Sequence, residues 1–278
     1  MESKKIGRQT VRFSRPPAVL SFGSAAGEKE SSGPLGQCFD YASQDDTFGQ
    51  KSWEKAETAM QRQALSIALE QGGLEAEQLD LLLAGDLLNQ CIATSYSVRA
   101  LHTPFFGLYG ACSTMAEGLS LAAMLLDGGF GSRVAALTSS HFCSAERQYR
   151  NPLEYGGQKP PTAQWTATGS GAVILGREGA GPYLTHVTAG RVVDWGITDA
   201  NNMGAAMAPN SVRLAPYPTI WGNLLIFSTK VTSRQGGILS QFTNPIFRRR
   251  NDFVEKNLKN RSITASAAVT RETTTSLC

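Results

Sequence analysis

Histidine and cysteine are scarce in this chain, and their placement excludes several kinds of site. The 278 residues include three histidines and five cysteines. The cysteines are odd in number and contain no CxxC pair, and His102, His141 and His186 lie far apart in the sequence. Zinc sites and disulfide frameworks both need such residues at close, paired spacings. We therefore expect free thiols in a reducing compartment, no metal and no cofactor.

Long apolar runs are also absent. The longest, around residues 119–126, is too short to cross a bilayer. The basic segment 1–15 is followed by Pro16 and Pro17 rather than by the apolar stretch of a secretory signal, so we expect no signal. No glycine-rich stretch has the spacing of a phosphate-binding or dinucleotide-binding loop. These absences predict a soluble protein, either cytoplasmic or peripheral at a membrane.

The net charge of +3 is the sum of two unlike parts. Residues 1–210 hold 16 Lys and Arg against 20 Asp and Glu, a net charge of −4, whereas residues 211–278 hold 10 against 3, a net charge of +7. The acidic part gives no reason to expect nucleic-acid binding. We divide the chain into a body, residues 1–209, and a basic tail rich in Ser, Thr and Arg, residues 210–278. We expect this tail to be irregular, being either disordered or read out of frame.

Hydrophobic periodicity in the body alternates between helices and buried strands. A long helix is predicted after Ser52 and stops at Gly72 and Gly73. Short apolar runs predict strands at 79–84, 104–108, 134–138, 169–175 and 183–193. A short helix is predicted at 94–101 and a nearly all-apolar one at 113–126. Residues 23–51, rich in Gly, Ser and Asp, are expected to form a long loop. This alternation predicts an α/β fold with parallel strands.

The most informative position is Cys112, which lies between a predicted strand and a predicted buried helix. Unpaired backbone N–H groups and the helix dipole stabilise a thiolate at a helix N-terminus. At the end of a parallel strand such a thiolate is placed to attack a carbonyl carbon. Alternatively, Cys112 is a small and inert core residue, because free cysteine is among the most buried residue types. The helix start at Cys112 and Ser113 also suits an anionic ligand.

Two further candidates follow the next predicted strand. His141 is placed to polarise a bound acid or carbonyl, or it is an ordinary hydrogen-bonded loop histidine. Arg147 lies in a polar segment, 145–161, that we expect to be a loop. Its guanidinium either pairs with a ligand carboxylate or is a solvated charge or the partner of a nearby glutamate. The candidate ligand-binding residues are Cys112, Ser113, His141 and Arg147, and Cys112 is also the candidate nucleophile.

Several long stretches of the body resemble one protein family. They are GPLG (33–36), LLLAGDLLNQ (81–90), FGLYGACSTMAEGLSLAAMLLDGGF (106–130), TSSHFCSAERQYRNPLEYGGQKP (138–160), TATGSGAVIL (166–175) and GRVVDWGITDANNMGAAMAP (190–209). On these stretches, residues 6–209 resemble the stage V sporulation protein AD family of spore-forming bacteria, within the thiolase-like superfamily. The resemblance covers about three-quarters of the chain.

The resemblance implies a thiolase-like fold of two similar βαβαβ halves, of which residues 1–209 match the N-terminal half only. It implies a protein that binds dipicolinic acid and takes part in its uptake into the developing spore. The implied partners are other proteins of the same operon at the spore inner membrane, and a second copy of the chain. In acyl-transferring relatives the nucleophilic cysteine heads the third helix of the first half, and Cys112 matches that position.

The chain departs from the family pattern after residue 209, and the remaining 69 residues resemble nothing in the family. An altered reading frame near codon 210 would account for this change, and the encoding DNA should then show a second thiolase-like half in another frame. The second-half groups that activate the cysteine are absent, so we predict a truncated, non-enzymatic binding protein. The alternative is an acyltransferase that uses Cys112 with His141 or His186 as its base. A third possibility is a non-functional half-domain that aggregates.

Overall fold

The computed structural model describes residues 3–149, 166–190, 196, 198, 224–232 and 238–241. The strands are β1 (Lys5–Ile6), β2 (Thr10–Arg12), β3 (Ala18–Ala26), β4 (Tyr41–Ala42), β5 (Leu81–Gly85), β6 (Phe105–Gly107), β7 (Arg133–Ser140), β8 (Gly169–Gly176), β9 (Leu184–Ala189), β10 (Leu224–Thr232) and β11 (Ile238–Gln241). The helices are α1 (Glu28–Ser31), α2 (Trp53–Gly72), α3 (Ile92–Val98), α4 (Thr114–Gly128) and α5 (Phe142–Tyr149).

The main sheet has six strands in the order β4-β3-β8-β7-β5-β6. β5 runs parallel to both β6 and β7, whereas β8 is antiparallel to β7 and β3. Helices connect the parallel strands, because parallel neighbours need a long crossover while antiparallel ones do not. The α/β fold class predicted from the sequence is confirmed. Among the described residues, no helix is long and apolar enough to span a membrane.

The two long helices cover opposite faces of the main sheet. Side chains alternate between the faces of a strand. On β5, Leu82 and Ala84 therefore pack in one core cluster with Met60 of α2, while Leu83 packs in the other with Leu119 of α4. The same alternation continues along β7 and β8. The main sheet thus forms the middle layer of three, and its strand ends are left to carry polar groups.

The predicted limits of both long helices agree with the structure. Ser52 caps α2, because its hydroxyl accepts a hydrogen bond from the Lys55 N–H at 3.4 Å. Gly73 ends α2 with a φ of 59°, and Gly129 ends α4 with a φ of 84°. Both angles lie in the left-handed region that favours glycine.

The prediction of a long loop over residues 23–51 is wrong at its beginning. β3 extends through Ala26 and lies inside the main sheet, between β4 and β8. The small residues of β3 allow α2 to pack closely against the strand, and they do not indicate a loop. A Cβ on Gly23 would overlap the Ala64 carbonyl oxygen and lie 2.8 Å from the Ala68 backbone nitrogen, both on α2. The later part of the segment holds only short elements, α1 and β4.

The prediction of a polar loop from residue 145 onward is also wrong at its beginning. Residues 142–149 form α5, whose first turn includes a hydrogen bond from the Ala145 N–H to the His141 carbonyl at 2.9 Å. Arg147 therefore belongs to a helix. Residues 150–161 of the expected loop lie outside the described residues.

A second sheet has the strand order β1-β2-β9-β10-β11. β2 is antiparallel to β9, and β10 is parallel to β9 and antiparallel to β11. β10 and β11 belong to residues 210–278, so the prediction of an irregular tail is wrong for these two strands. The rest of that segment lies outside the described residues. The domain boundary at residue 209 also falls outside them and stays a prediction.

Candidate functional site

Three parallel strands of the main sheet end at one edge, which we call the carboxyl edge. Asp86 follows β5, the turn that contains Cys112 follows β6, and His141 follows β7. Ligands of open α/β sheets bind outside the carboxyl ends of their strands. The structure therefore brings Cys112, Ser113 and His141 to the same edge of the sheet.

Cys112 lies in a 3-10 turn, Ala111–Ser113, that leads directly into α4. Ala111 has a φ of 48°, a left-handed conformation that residues with a side chain rarely adopt. Hydroxyl groups brace the turn: Ser113 Oγ donates to the Gly110 carbonyl at 2.8 Å, and Thr114 Oγ1 donates to the Ala111 carbonyl at 2.6 Å. The predicted position of Cys112 at a helix start is confirmed. Its side chain is not described, and its role stays a prediction.

Ser113 is fully buried, and both of its donors are engaged within the turn. Its backbone N–H donates to the Gly110 carbonyl at 3.0 Å, and its hydroxyl donates to the same oxygen. An anion binds through hydrogen-bond donors, and in this conformation Ser113 has no donor to offer it. The ligand-binding role predicted for Ser113 stays a prediction, and it requires this turn to rearrange.

Glu117, in the first turn of α4, adds a negative group beside the Cys112 turn. A Cβ on Gly110 would overlap the Glu117 carboxyl oxygen Oε2. This oxygen is buried and has no hydrogen-bond partner among the described residues. A carboxylate at this position opposes both a thiolate and a bound anion by like-charge repulsion.

His141 is buried and uses both ring nitrogens within the chain. Nδ1 accepts a hydrogen bond from the Cys143 N–H at 3.2 Å, so Nε2 carries the proton and donates to the Asp46 carbonyl at 2.7 Å. The Trp53 ring lies 5.3 Å away between centroids. Burial lowers the pKa of His141, which keeps the ring neutral. This geometry is that of a hydrogen-bonded structural histidine, and binding a ligand through the ring would break one of these bonds.

Arg147 lies on α5, which begins one residue after His141. Its backbone is therefore near the carboxyl edge, while its side chain is not among those described. The proposed contact between the guanidinium and a ligand carboxylate stays a prediction. Across the described residues, no group of three or more His, Cys, Asp or Glu is arranged to hold a metal ion.

A buried hydrogen-bond network, which is not among the predictions made from the sequence, lies at the same edge. Its centre is Glu57 of α2, which is 0% exposed. Glu57 Oε1 lies 2.7 Å from Ser139 Oγ, and Oε2 lies 2.9 Å from Ser144 Oγ. Gln61 Nε2 donates to Ser139 Oγ at 2.8 Å and to Thr94 Oγ1 at 2.9 Å. The network therefore joins α2 to β7, α3 and α5.

Asp86 lies at the other end of this network. Its two oxygens accept hydrogen bonds from the Leu88 N–H at 2.7 Å, the Thr94 N–H at 2.7 Å and the Thr94 hydroxyl at 2.6 Å. Burial raises the pKa of Asp86. Burial, with a further contribution from the Asp86 charge, raises the pKa of Glu57 to about 8. The three donors around Asp86 favour its charged form more strongly than the two hydroxyl groups around Glu57 favour the charged form of Glu57.

One signal in the sequence indicates these residues. Glu57 and Gln61 are one helical turn apart, on the same face of α2 as Met60, Ala64 and Ala68. Polar side chains inside an apolar face are expected to be hydrogen-bonded. The pattern does not identify their partners, because Thr94, Ser139 and Ser144 are distant in sequence.

Residues 7–216 match the model of a known family, which is described as Stage V sporulation protein AD (SpoVAD). This range includes the whole carboxyl edge and about three-quarters of the chain. The chain belongs to this family. Stage V sporulation protein AD of Bacillus subtilis (strain 168) is 50% identical over 206 residues, which are 74% of this chain and 61% of that protein. The chain thus spans less than two-thirds of the length of its relative, and the predicted family is confirmed.

The solved structures that this chain matches in part include 3-oxoacyl-(acyl carrier protein) synthases. That of Xanthomonas oryzae pv. oryzae has a TM-score of 0.43 and 14% identity, and the match covers 63% of this chain and 61% of that chain. Synthase III of Aquifex aeolicus VF5 has a TM-score of 0.37 and 16% identity, with 58% and 54% covered. Identities this low give no information on activity.

Proposed function

We propose that this chain is a non-enzymatic sporulation protein that binds dipicolinic acid and contributes to its uptake into the developing spore. The observation that supports this best is the family match, because residues 7–216 include every candidate binding residue. We further propose that it acts with other proteins of the same operon at the spore inner membrane, and as a homodimer. The chain carries only part of its relative's length, so each activity of the whole protein is part of this proposal.

The chemistry of the carboxyl edge is compatible with such a ligand. Dipicolinate is a planar pyridine that carries two carboxylates. One carboxylate is proposed to lie at the start of α4, where the positive end of the helix dipole favours an anion. Arg147 of α5 is proposed to bind the second carboxylate through a bidentate pair. Glu117 works against this arrangement, so the guanidinium has to supply much of the attraction.

Isothermal titration with dipicolinate tests the proposal. We expect heat of binding from the full chain, and affinity weakened about tenfold or more by Arg147→Met, since a hydrogen bond to a charged group contributes about 1.5–3 kcal/mol. Arg177→Met is the matched control, because Arg177 is exposed and follows β8 at the opposite edge of the sheet. Isophthalate, which keeps both carboxylates but lacks the ring nitrogen, tests ligand specificity.

Two outcomes would contradict the proposal. Absence of binding heat at millimolar dipicolinate, from chain that melts cooperatively, would exclude a specific ligand site. If the parent chain, Arg147→Met and Arg177→Met bind dipicolinate with equal affinity, Arg147 does not contribute to the ligand site.

The position of Cys112 favours one second candidate, a cysteine-dependent acyltransferase. The turn before α4 is strained at Ala111, and strained residues cluster at functional sites. The role of base falls to His141 or His186, but both His141 ring nitrogens are hydrogen-bonded. We expect no Cys112-dependent adduct when the chain is incubated with acyl-CoA and its intact mass is measured. An added acyl mass that disappears in Cys112→Ala would establish the acyltransferase instead.

A further inference from the structure

Two oxygen atoms compete for the single hydroxyl proton of Ser144. Ser144 Oγ lies 2.9 Å from Glu57 Oε2 and 3.1 Å from the His141 carbonyl oxygen. A hydroxyl has one proton and cannot donate to both. If Glu57 is ionised, both neighbours are acceptors and one contact lacks a proton. If Glu57 is a neutral acid, its own O–H donates to Ser144 Oγ, and Ser144 donates to His141.

The other contacts of Glu57 agree with a neutral acid. Gln61 donates its two amide protons to Ser139 and Thr94, so the Ser139 hydroxyl proton is free to reach Glu57 Oε1. The Thr94 hydroxyl donates a hydrogen bond to Asp86. Asp86 accepts three hydrogen bonds and is the charged group at the end of the network. Each of these protons then has an acceptor, while the buried Gln61 carbonyl oxygen has no partner among the described residues.

We infer that Glu57 is a positioning residue: as a neutral acid it holds α5 against α2 and thereby fixes the segment that carries His141 and Arg147 at the carboxyl edge. The bond that does this runs from Glu57 through Ser144, in the first turn of α5, to the His141 carbonyl. The inference deepens the proposed function and depends on it for its ligand measurement.

Loss of the Glu57 proton would leave Ser144 able to donate to the carboxylate or to the His141 carbonyl, but not to both. The carboxylate would be buried with only two hydroxyl donors, beside the Asp86 charge at the end of β5 and near Glu54 on its own helix. A buried anion without a counter-ion is costly, and moving α5 outward to admit water is the simplest relief. His141, at the start of the α5 segment, stays neutral through this range because burial lowers its pKa.

The substitution Glu57→Gln separates this role from simple packing. Glutamine keeps the shape and stays neutral at every pH. Its carbonyl accepts from Ser139, and its amide donates to Ser144, so it reproduces the bonds of the protonated acid. Glu70→Gln is the matched control, because Glu70 is an exposed glutamate on the same helix.

Three measurements on the full chain test the inference. Infrared spectroscopy of the parent chain should show a protonated carboxyl that titrates near pH 8 and is missing in Glu57→Gln. Hydrogen exchange of the α5 amides, including Ala145, should accelerate relative to α4 between pH 7 and 9 in the parent and in Glu70→Gln, but not in Glu57→Gln. Dipicolinate affinity should fall about tenfold over the same range in the parent, because only about a tenth of the chains stay protonated at pH 9.

The dipicolinate affinity of Glu57→Gln should change by no more than about twofold between pH 7 and 9. Any contribution from other titrating groups is shared by all three proteins and cancels in the comparison. If no variant binds dipicolinate but α5 exchange still follows Glu57, the proposed function fails and the positioning role stands. The same exchange profile in the parent and in Glu57→Gln would overturn the role. So would the absence of a protonated carboxyl in the parent, a result that needs no folded variant.

Discussion

Gly23→Ala should lower the free energy of unfolding by about 3 kcal/mol, a large effect for one added methyl group. Gly23 lies in β3, where α2 passes so close that a Cβ would overlap the Ala64 carbonyl oxygen and lie 2.8 Å from the Ala68 nitrogen. Both obstacles are backbone atoms of a helix that is packed along its length. The strand and the helix must therefore move apart, which disturbs the core between them.

The matched control for this change is Gly169→Ala. Gly169 begins β8, and a Cβ there would lie 3.6 Å from the Ala25 carbonyl oxygen, an ordinary contact. We expect a change within about 1 kcal/mol. Urea unfolding of both variants, with the slope against denaturant held equal, gives the comparison. A Gly23→Ala variant as stable as Gly169→Ala would show that α2 does not approach β3 as described.

Stability should fall as the pH rises from 6.5 to 8, by about 1.4 kcal/mol for each pH unit. The unfolded chain releases the Glu57 proton near the ordinary value of 4.5, whereas the folded chain keeps it up to about pH 8. Between these values the folded state binds more protons than the unfolded state, so raising the pH favours unfolding. Burial lowers the pKa of His141, which acts in the opposite direction below pH 6.5.

Glu57→Gln should remove this slope, because glutamine does not titrate. The measurement is urea unfolding at half-unit pH steps from 6.5 to 8, with Glu70→Gln as the exposed glutamate that should keep the parent slope. A parent chain whose stability is flat over this interval, or a slope that survives in Glu57→Gln, would contradict the assignment of the raised pKa to Glu57.

The main elements of the fold follow from local signals, and the exceptions have identifiable causes. Ser52, Gly73 and Gly129 mark helix ends because caps act within one turn. β3 is not predicted because its Gly, Ser and Ala residues are also typical of loops. In the structure, small residues are needed there because α2 packs closely against the strand. That approach is a property of the tertiary fold, and no window of sequence contains it.

Only part of the candidate site can be predicted from the sequence, because some of its contacts form only in the folded chain. Cys112 is recognisable because a strand, a turn and an apolar helix follow one another in the sequence. The partners of Glu57 are not recognisable, since Ser139 and Ser144 reach Glu57 only after the sheet and α5 are in place. The bond from His141 Nε2 to the Asp46 carbonyl likewise depends on a loop that is 95 residues away in the sequence.

The pairing of β3 with β8 has a consequence for how the chain is made. Ala18 lies opposite Gly176, and Ala26 lies opposite Gly169. During synthesis, β3 leaves the ribosome long before its partner exists, and loop closure over so many residues is slow. Until residue 176 emerges, α2 has no complete sheet to cover, and the apolar face around Met60 stays open to solvent and to other nascent chains. Variants that slow translation between α5 and β8 should therefore affect yield more strongly than variants that slow it after β9.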